Sequence, residues 1–126
     1  MARIRNWNVP VLALLKMLEE KGITPIAVND GEEIHNFPET PVAERAAKAV
    51  ELITAVDEAG VGVEYTDSSG TVHRTDLWLL LCNDANEILS DWLIPESDDF
   101  DQAIQEVGRA FYDAWEGRSV PLVKER

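Results

Sequence analysis

His35 and His73 are the two imidazoles of the sequence, Cys82 is its single thiol, and Asp and Glu together supply 24 carboxyls. Acid–base or nucleophilic chemistry near neutral pH would have to be built from these groups. An imidazole suits general acid–base work because its ordinary pKa lies close to neutrality. Neither histidine has a second histidine or a cysteine next to it: His35 sits in a turn-rich stretch and His73 precedes Arg74. Both read as surface or partly buried polar residues. A nucleophilic pair of Cys82 with His73 across adjacent strands would need an acidic third group to orient the ring. Cys82 ends an apolar run, however, which is the setting of an inert packed thiol.

The carboxylates offer a second chemistry. Asp84, Glu87 and Asp91 are spaced so that a helix would align them on one face, as oxygen ligands for a divalent metal with hydrolytic activity. A strand over the same residues breaks that alignment, and a strand is the preferred assignment there. Glu96, Asp98, Asp99 and Asp101 lack the alternating ligands and central glycine of an EF-hand loop, so a solvated face or a helix cap accounts for them. The sequence contains no CxxC pair, HExxH, P-loop or GxGxxG arrangement. No cofactor is expected, and the residue set points to binding rather than catalysis.

Charge is the most informative feature. Eleven Lys and Arg against 24 Asp and Glu give a net charge of −13. Residues 75–108 hold Asp76, Asp84, Glu87, Asp91, Glu96, Asp98, Asp99, Asp101 and Glu106 with no Lys or Arg among them. This is the opposite of the basic footprint that grips phosphates, so direct nucleic-acid binding and docking on an anionic membrane are both disfavoured. Strong negative charge favours solubility and steering toward basic protein surfaces. The plain account is that the charge serves solubility alone. The sharper one gathers Asp84, Glu87, Asp91, Glu96, Asp98, Asp99, Asp101 and Glu106, with Trp92, into a patch for a basic protein partner. Such a patch could imitate phosphate spacing and compete for a nucleic-acid-binding protein. Trp7, Trp78, Trp92 and Trp115 fall in four different expected elements. Core packing suffices for Trp78 and Trp115, but an open sheet face would leave Trp78 or Trp92 as an anchor for a partner or a dimer.

These residues must be positioned by a chain of 126 residues, the size of one domain. A hydrophobic fraction of 45% is ordinary for a globular protein. The lone cysteine suits a reducing compartment. Arg3 and Arg5 precede an apolar run over 9–15, but Pro10 interrupts it, Lys16 closes it, and Glu19-Glu20-Lys21 stand where small cleavage-site residues would be needed. No window approaches the roughly 18–20 apolar residues of a membrane span, so the expected location is cytoplasmic.

Val11, Leu14, Leu15 and Leu18 mark a helix over 8–21, capped by Asn8 and stopped by Gly22. A short strand over 23–28 follows, with Pro25 placing it at an edge or making it irregular. The Asn29-Asp30-Gly31 turn leads to a weak strand over 32–37. A second helix has Thr40 as N-cap and Pro41 as first residue, with Val42, Ala46, Ala49, Val50, Ile53 and Val56 on its apolar side; Gly60 is its expected end. From Val61 the period is two: a hairpin over 61–66 and 71–75, then the apolar run 77–82, whose two faces both want cover. Residues 87–94 read as a strand in preference to a short helix. Phe100, Ile104, Val107, Phe111 and Trp115 line the last helix, capped by Ser97 or Asp98 and ended by Gly117. Residues 118–126 read as a partly ordered tail.

The expected fold is therefore one α+β domain over 1–126, an antiparallel meander of three to four strands packed by about three helices. The two-sided apolar strand also suits a second layer from another copy of the chain, that is, a homodimer. The apolar strand at 77–82, the Asn83-Asp84 turn and the Glu87-Ile88-Leu89-Ser90-Asp91-Trp92 return resemble segments of small uncharacterised phage and mobile-element proteins. That resemblance implies no particular activity. The functional expectation is a small acidic, non-catalytic protein-interaction module, of the kind a mobile element uses as an accessory or counter-defence factor.

Overall fold

Two periodicities, three to four in the helices and two in the strands, sort the side chains into one core. The computed structural model describes residues 3–37, 40–81, 87–118 and 122–124, with backbone alone for 3–5 and 122–124. The elements run β1 (Arg3–Arg5), α1 (Asn8–Glu20), β2 (Ile23–Asn29), β3 (Ile34–Asn36), α2 (Val42–Ile53), β4 (Glu58–Thr66), β5 (Val72–Leu80), β6 (Leu89–Trp92), α3 (Asp98–Trp115) and β7 (Leu122–Lys124). β1 and β7 pair antiparallel as a separate ribbon, and the main sheet has the order β3-β2-β4-β5-β6, antiparallel throughout.

The class is α+β, but the main sheet has five strands where three to four were expected. The turn before β3 explains how so weak a segment joins the sheet. Asp30 Oδ1 accepts the backbone N–H groups of Glu32 and Glu33, and His35 Nε2 donates to Asp30 Oδ2 at 2.9 Å. This fastens a three-residue edge strand to β2. Pro25 is accommodated both at an irregularity and at a local edge: the register of β2 on β4 shifts between Pro25 and Ala27, and β3 reaches only Ala27 to Asn29.

The helices bury most of the expected stripes, although Val42 is exposed and Val56 falls beyond α2, with three corrections at their ends. In α1, Val11, Leu14, Leu15 and Leu18 are buried, but Trp7 occupies the N-cap position and Asn8 is already helical. In α2, Pro41 takes the N-cap position, and the helix stops at Ile53 rather than running on to Gly60. Thr54 Oγ1 donates back to the Val50 carbonyl at 2.7 Å and Val56 N–H closes a tight turn on Ile53 O. β4 then begins at Glu58, because Ala59, Val61 and Val63 at every second position are needed in the core. α3 is capped by Ser97, whose Oγ accepts the Phe100 N–H at 3.3 Å, while Asp98, Asp99 and Asp101 sit at the positive end of its dipole.

All three helices supply the core. Val61, Val63, Leu77 and Leu79 of the central strands are fully buried together with Leu14, Leu15, Ile53, Phe100, Ile104 and Phe111. Each such side chain contributes on the order of 1.5–3 kcal/mol. Tyr65 stacks on Phe100 at a centroid distance of 5.1 Å, tying β4 to α3. No helix among the described residues is long and apolar enough to cross a membrane.

Candidate functional site: the outer face of the sheet

The parity that sends Ala59, Val61 and Val63 inward leaves Gly60 and Gly62 facing away from the helices. Strand register then defines two ranks across this outer face. In one, Ile34, Asn29, Gly60, Trp78 and Asp91 stand side by side on β3, β2, β4, β5 and β6; in the other, Ala27, Gly62 and Asp76 do so on β2, β4 and β5. With no side chain at the middle of either rank, the centre of the sheet becomes a trough of about 380 Å³. A Cβ at Gly60 would lie 3.4 Å from Trp78 Cζ3, and one at Gly62 would lie 3.5 Å from Asp76 Oδ1 and 3.6 Å from Ala27 Cβ. The Trp78 indole therefore leans over the central strand, and Gly60 is buried beneath it.

The trough continues into a second groove of about 610 Å³ that shares Ala27, Gly62, Asp76 and Leu93 and extends over Val72, Ile94 and Glu96. The segment after β6 that walls both is held by two bonds: Leu93 N–H donates to Asp76 O, and buried Thr75 donates its hydroxyl to Leu93 O. Eight large hydrophobic side chains are exposed among the described residues, and five of them, Ile34, Val72, Trp78, Leu93 and Ile94, line these two grooves. Leu93 is 65% and Ile94 80% exposed, Trp78 41%. Isolated apolar exposure is ordinary, but a contiguous group is the mark of an interaction surface.

The charge on this face is acidic. Asp76 and Asp91 line the trough, and no Lys, Arg or His does. Asp91 Oδ1 accepts its neighbour's N–H, that of Trp92, at 2.8 Å. The second groove is lined by Arg74 and His73 as well as Glu96, and these two basic side chains are engaged by Glu64 at 3.1 Å and Asp67 at 2.8 Å.

The acids and the tryptophan expected to form one patch distribute over two surfaces. Asp91 borders the trough and Glu96 the second groove. Asp98, Asp101 and Glu106 surround a polar depression on α3 with Gln102, Gln105 and Arg109, and Asp99 lies exposed in the first turn of that helix. Glu106 is paired with Lys21 at 3.0 Å, and this ammonium holds its carboxyl below the usual range. Trp92 stands opposite Leu77, on the helix side of the sheet, and its indole N–H donates to Asp101 Oδ1 at 2.9 Å. Trp92 is thus engaged with α3, and Trp78 is the outward indole. Glu87 is exposed; the Tyr112 phenol on α3 is raised chiefly by Glu116, then by burial, with Asp113 and Glu87 adding least. Asp84 and Cys82 lie outside the described residues. Among the described residues no three His, Cys, Asp or Glu side chains converge as metal ligands.

Both imidazoles are staples of turns. His73 Nε2 donates to Asp67 Oδ2 at 2.8 Å, as His35 does to Asp30. Asp67 Oδ1 also accepts the Ser69 hydroxyl and the N–H groups of Ser69 and Thr71. The Ser69 hydroxyl first, and then the His73 ring, hold the Asp67 carboxyl well below the usual carboxylate range. The Glu33 N–H, followed by His35, brings Asp30 down to about 2.

The central feature of the site, the glycine pair, is masked in the sequence because Gly60 also has the character of a helix stop. Its signal was present: glycine at two successive outward positions of one strand beside Asp76 and Trp78, at the same parity, on the next.

No family model matches this chain, and no solved structure matches it. Two curated relatives are similar over part of their length. The queuine tRNA-ribosyltransferase of Synechococcus elongatus is 31% identical over 97 residues, covering 68% of this chain and 25% of that protein. The queuine tRNA-ribosyltransferase of Cyanothece sp. is 29% identical over 101 residues, covering 71% of this chain and 26% of that protein. The chain thus spans about a quarter of the length of the curated relatives it matches.

Proposed function

We propose that this chain is a small acidic protein-interaction module that receives a basic protein partner on the outer face of its main sheet. The observation that carries this is the gathering of Ile34, Val72, Trp78, Leu93 and Ile94 around a trough that bears Asp76 and Asp91. Apolar contact supplies affinity there, and the surrounding charge of −13 steers a basic surface toward it. The α3 acids belong to this steering field. Both histidines are committed to turns, which favours binding over acid–base chemistry. An accessory or counter-defence factor is one setting for such a module within this proposal.

The test is affinity capture from cell extract by the immobilised chain at low and high salt, with mass-spectrometric identification, run beside a Leu93→Ser/Ile94→Ser variant. A basic protein captured at low salt, diminished at high salt and lost with the variant is the expected result. Equal capture by the variant would contradict the assignment of the face.

The partial similarity to two queuine tRNA-ribosyltransferases favours a second reading, in which the chain works beside tRNA. The charge opposes direct contact with the polyanion. A saturable mobility shift of unmodified tRNA at low salt would favour this reading; under the first, no shift is expected.

A further inference from the structure

We propose that the glycine-floored trough is a receptor for an arginine side chain carried on an extended segment of the partner. This rests on the assignment of the outer face as the docking surface and specifies what it recognises. Three features of the trough converge on a planar cation. Trp78 is 41% exposed and leans over Gly60, its ring carbons 3.4 and 3.6 Å from where a Cβ would stand, so a flat group can stack on its outward side; guanidinium is the cation best suited to stacking on an aromatic face. Asp91 stands opposite Trp78 across the strand pair, and Asp76 is two residues before Trp78 on the same face. Asp76 leans over the floor, its Oδ1 3.5 Å from where a Cβ of Gly62 would stand, and Asp91 holds the diagonal position about 7–8 Å away, so a guanidinium stacked on Trp78 lies between two carboxylates. Neither carboxylate is paired with a basic side chain among the described residues, and the lining supplies none.

The occupant is a foreign segment rather than a second copy of this chain. Two-fold packing of the face on itself would bring Asp76 and Asp91 of both copies into one apolar interface, where the basic side chain of the face, Arg74, is already engaged by Glu64, so like charge gathers within a protein already at −13. An extended segment also fits the shape, because the trough runs on into the second groove past Leu93 and Ile94, where the residues flanking the arginine find apolar contact.

The test is a nuclear magnetic resonance titration of the isotope-labelled full chain with acetyl-Val-Arg-Val-amide and with the same peptide carrying citrulline or lysine. Citrulline keeps the planar shape and loses the charge. The arginine peptide is expected to produce saturable shifts at the amides of Gly60, Gly62, Asp76 and Asp91 and at the Trp78 indole N–H. The citrulline peptide should bind about tenfold or more weakly, the lysine peptide should fall between, and Asp76→Asn or Asp91→Asn should each weaken the arginine peptide by roughly fivefold. The same spectra report whether each variant is folded. Equal affinity for arginine and citrulline peptides at these amides would overturn the cation receptor while leaving the docking face intact. Shifts confined to the α3 acids, no saturable shift anywhere, or shifts of the outer face with protein concentration alone, as self-association would give, also overturn it. The docking face itself falls if the Leu93→Ser/Ile94→Ser variant captures the partner as well as the wild type does.

Discussion

Gly62→Ala is expected to stabilise the protein while weakening its interaction. A glycine inside a strand costs roughly 0.5–1 kcal/mol relative to alanine through the entropy it loses on folding. That cost is recoverable only where the new methyl fits. A Cβ at Gly62 would stand 3.5 Å from Asp76 Oδ1, 3.6 Å from Ala27 Cβ and 3.6 Å from Ile26 Cγ1, all ordinary van der Waals contacts. Gly62 is also absent from the glycines with positive φ, which are Gly22, Gly31, Gly70 and Gly117. The expected gain is therefore about 0.5–1 kcal/mol, or a rise in Tm of roughly 2–5 °C for a domain of this size, read by scanning calorimetry. The comparison is Gly60→Ala, where the methyl would meet the Trp78 ring at 3.4 Å and the gain should be close to nothing. Partner affinity should fall in both variants, because the methyl fills the trough floor. A loss of 1 kcal/mol or more in Gly62→Ala would refute the reasoning, since the space over the central strand would then not be open.

Three further outcomes follow from particular bonds. Asp67 has a lowered carboxyl pKa in the folded chain, so its contribution to stability is present above the unfolded value near 3.8 and is lost as pH falls through the folded one; Asp67→Asn should lower stability at pH 7 and flatten the acid limb of a pH–denaturation profile below about pH 4, whereas an unchanged acid limb would show that the turn carries no linkage. Thr75→Val removes the buried hydroxyl that holds Leu93 O and should cost about 1–2 kcal/mol in urea denaturation while speeding hydrogen exchange across the segment after β6. Ser97→Ala removes the side-chain cap of α3 and should cost about 1 kcal/mol by the same measurement.

The helices and the hairpin were legible because their signals are local. Val11, Leu14, Leu15 and Leu18 can be buried together only on a helix, and Val61 and Val63 alternate as strand residues must. What was not legible depended on distant partners. α2 was extended to Gly60 because its apolar period continues through Val56, and only the requirement of β5 for a partner across Ala59 to Val63 overrides it. β3, by contrast, was legible as a weak strand over 32–37, because the Asp30 turn that fastens it is itself a local signal. The site was half legible: the acidity of residues 75–108 and the possibility of an outward Trp78 or Trp92 could be read, but which indole faces out is decided by the pairing of Trp92 with Leu77 and its bond to Asp101. The grouping of nine acids in sequence carried no information about which face each would take, because α3 and β6 present theirs on different surfaces.

The central claim is that the partner seats on the outer sheet face rather than on the acids of α3. The direct measurement is the dissociation constant of the captured partner for wild type, Trp78→Ala and Asp98→Asn/Asp99→Asn, each checked for an unchanged melting transition. The outer-face account requires Trp78→Ala to weaken binding by roughly tenfold or more, as loss of an aromatic anchor does. It requires the α3 pair to act mainly on the association rate and its salt dependence. A partner that binds Trp78→Ala as tightly as wild type and is lost with Asp98→Asn/Asp99→Asn would contradict it.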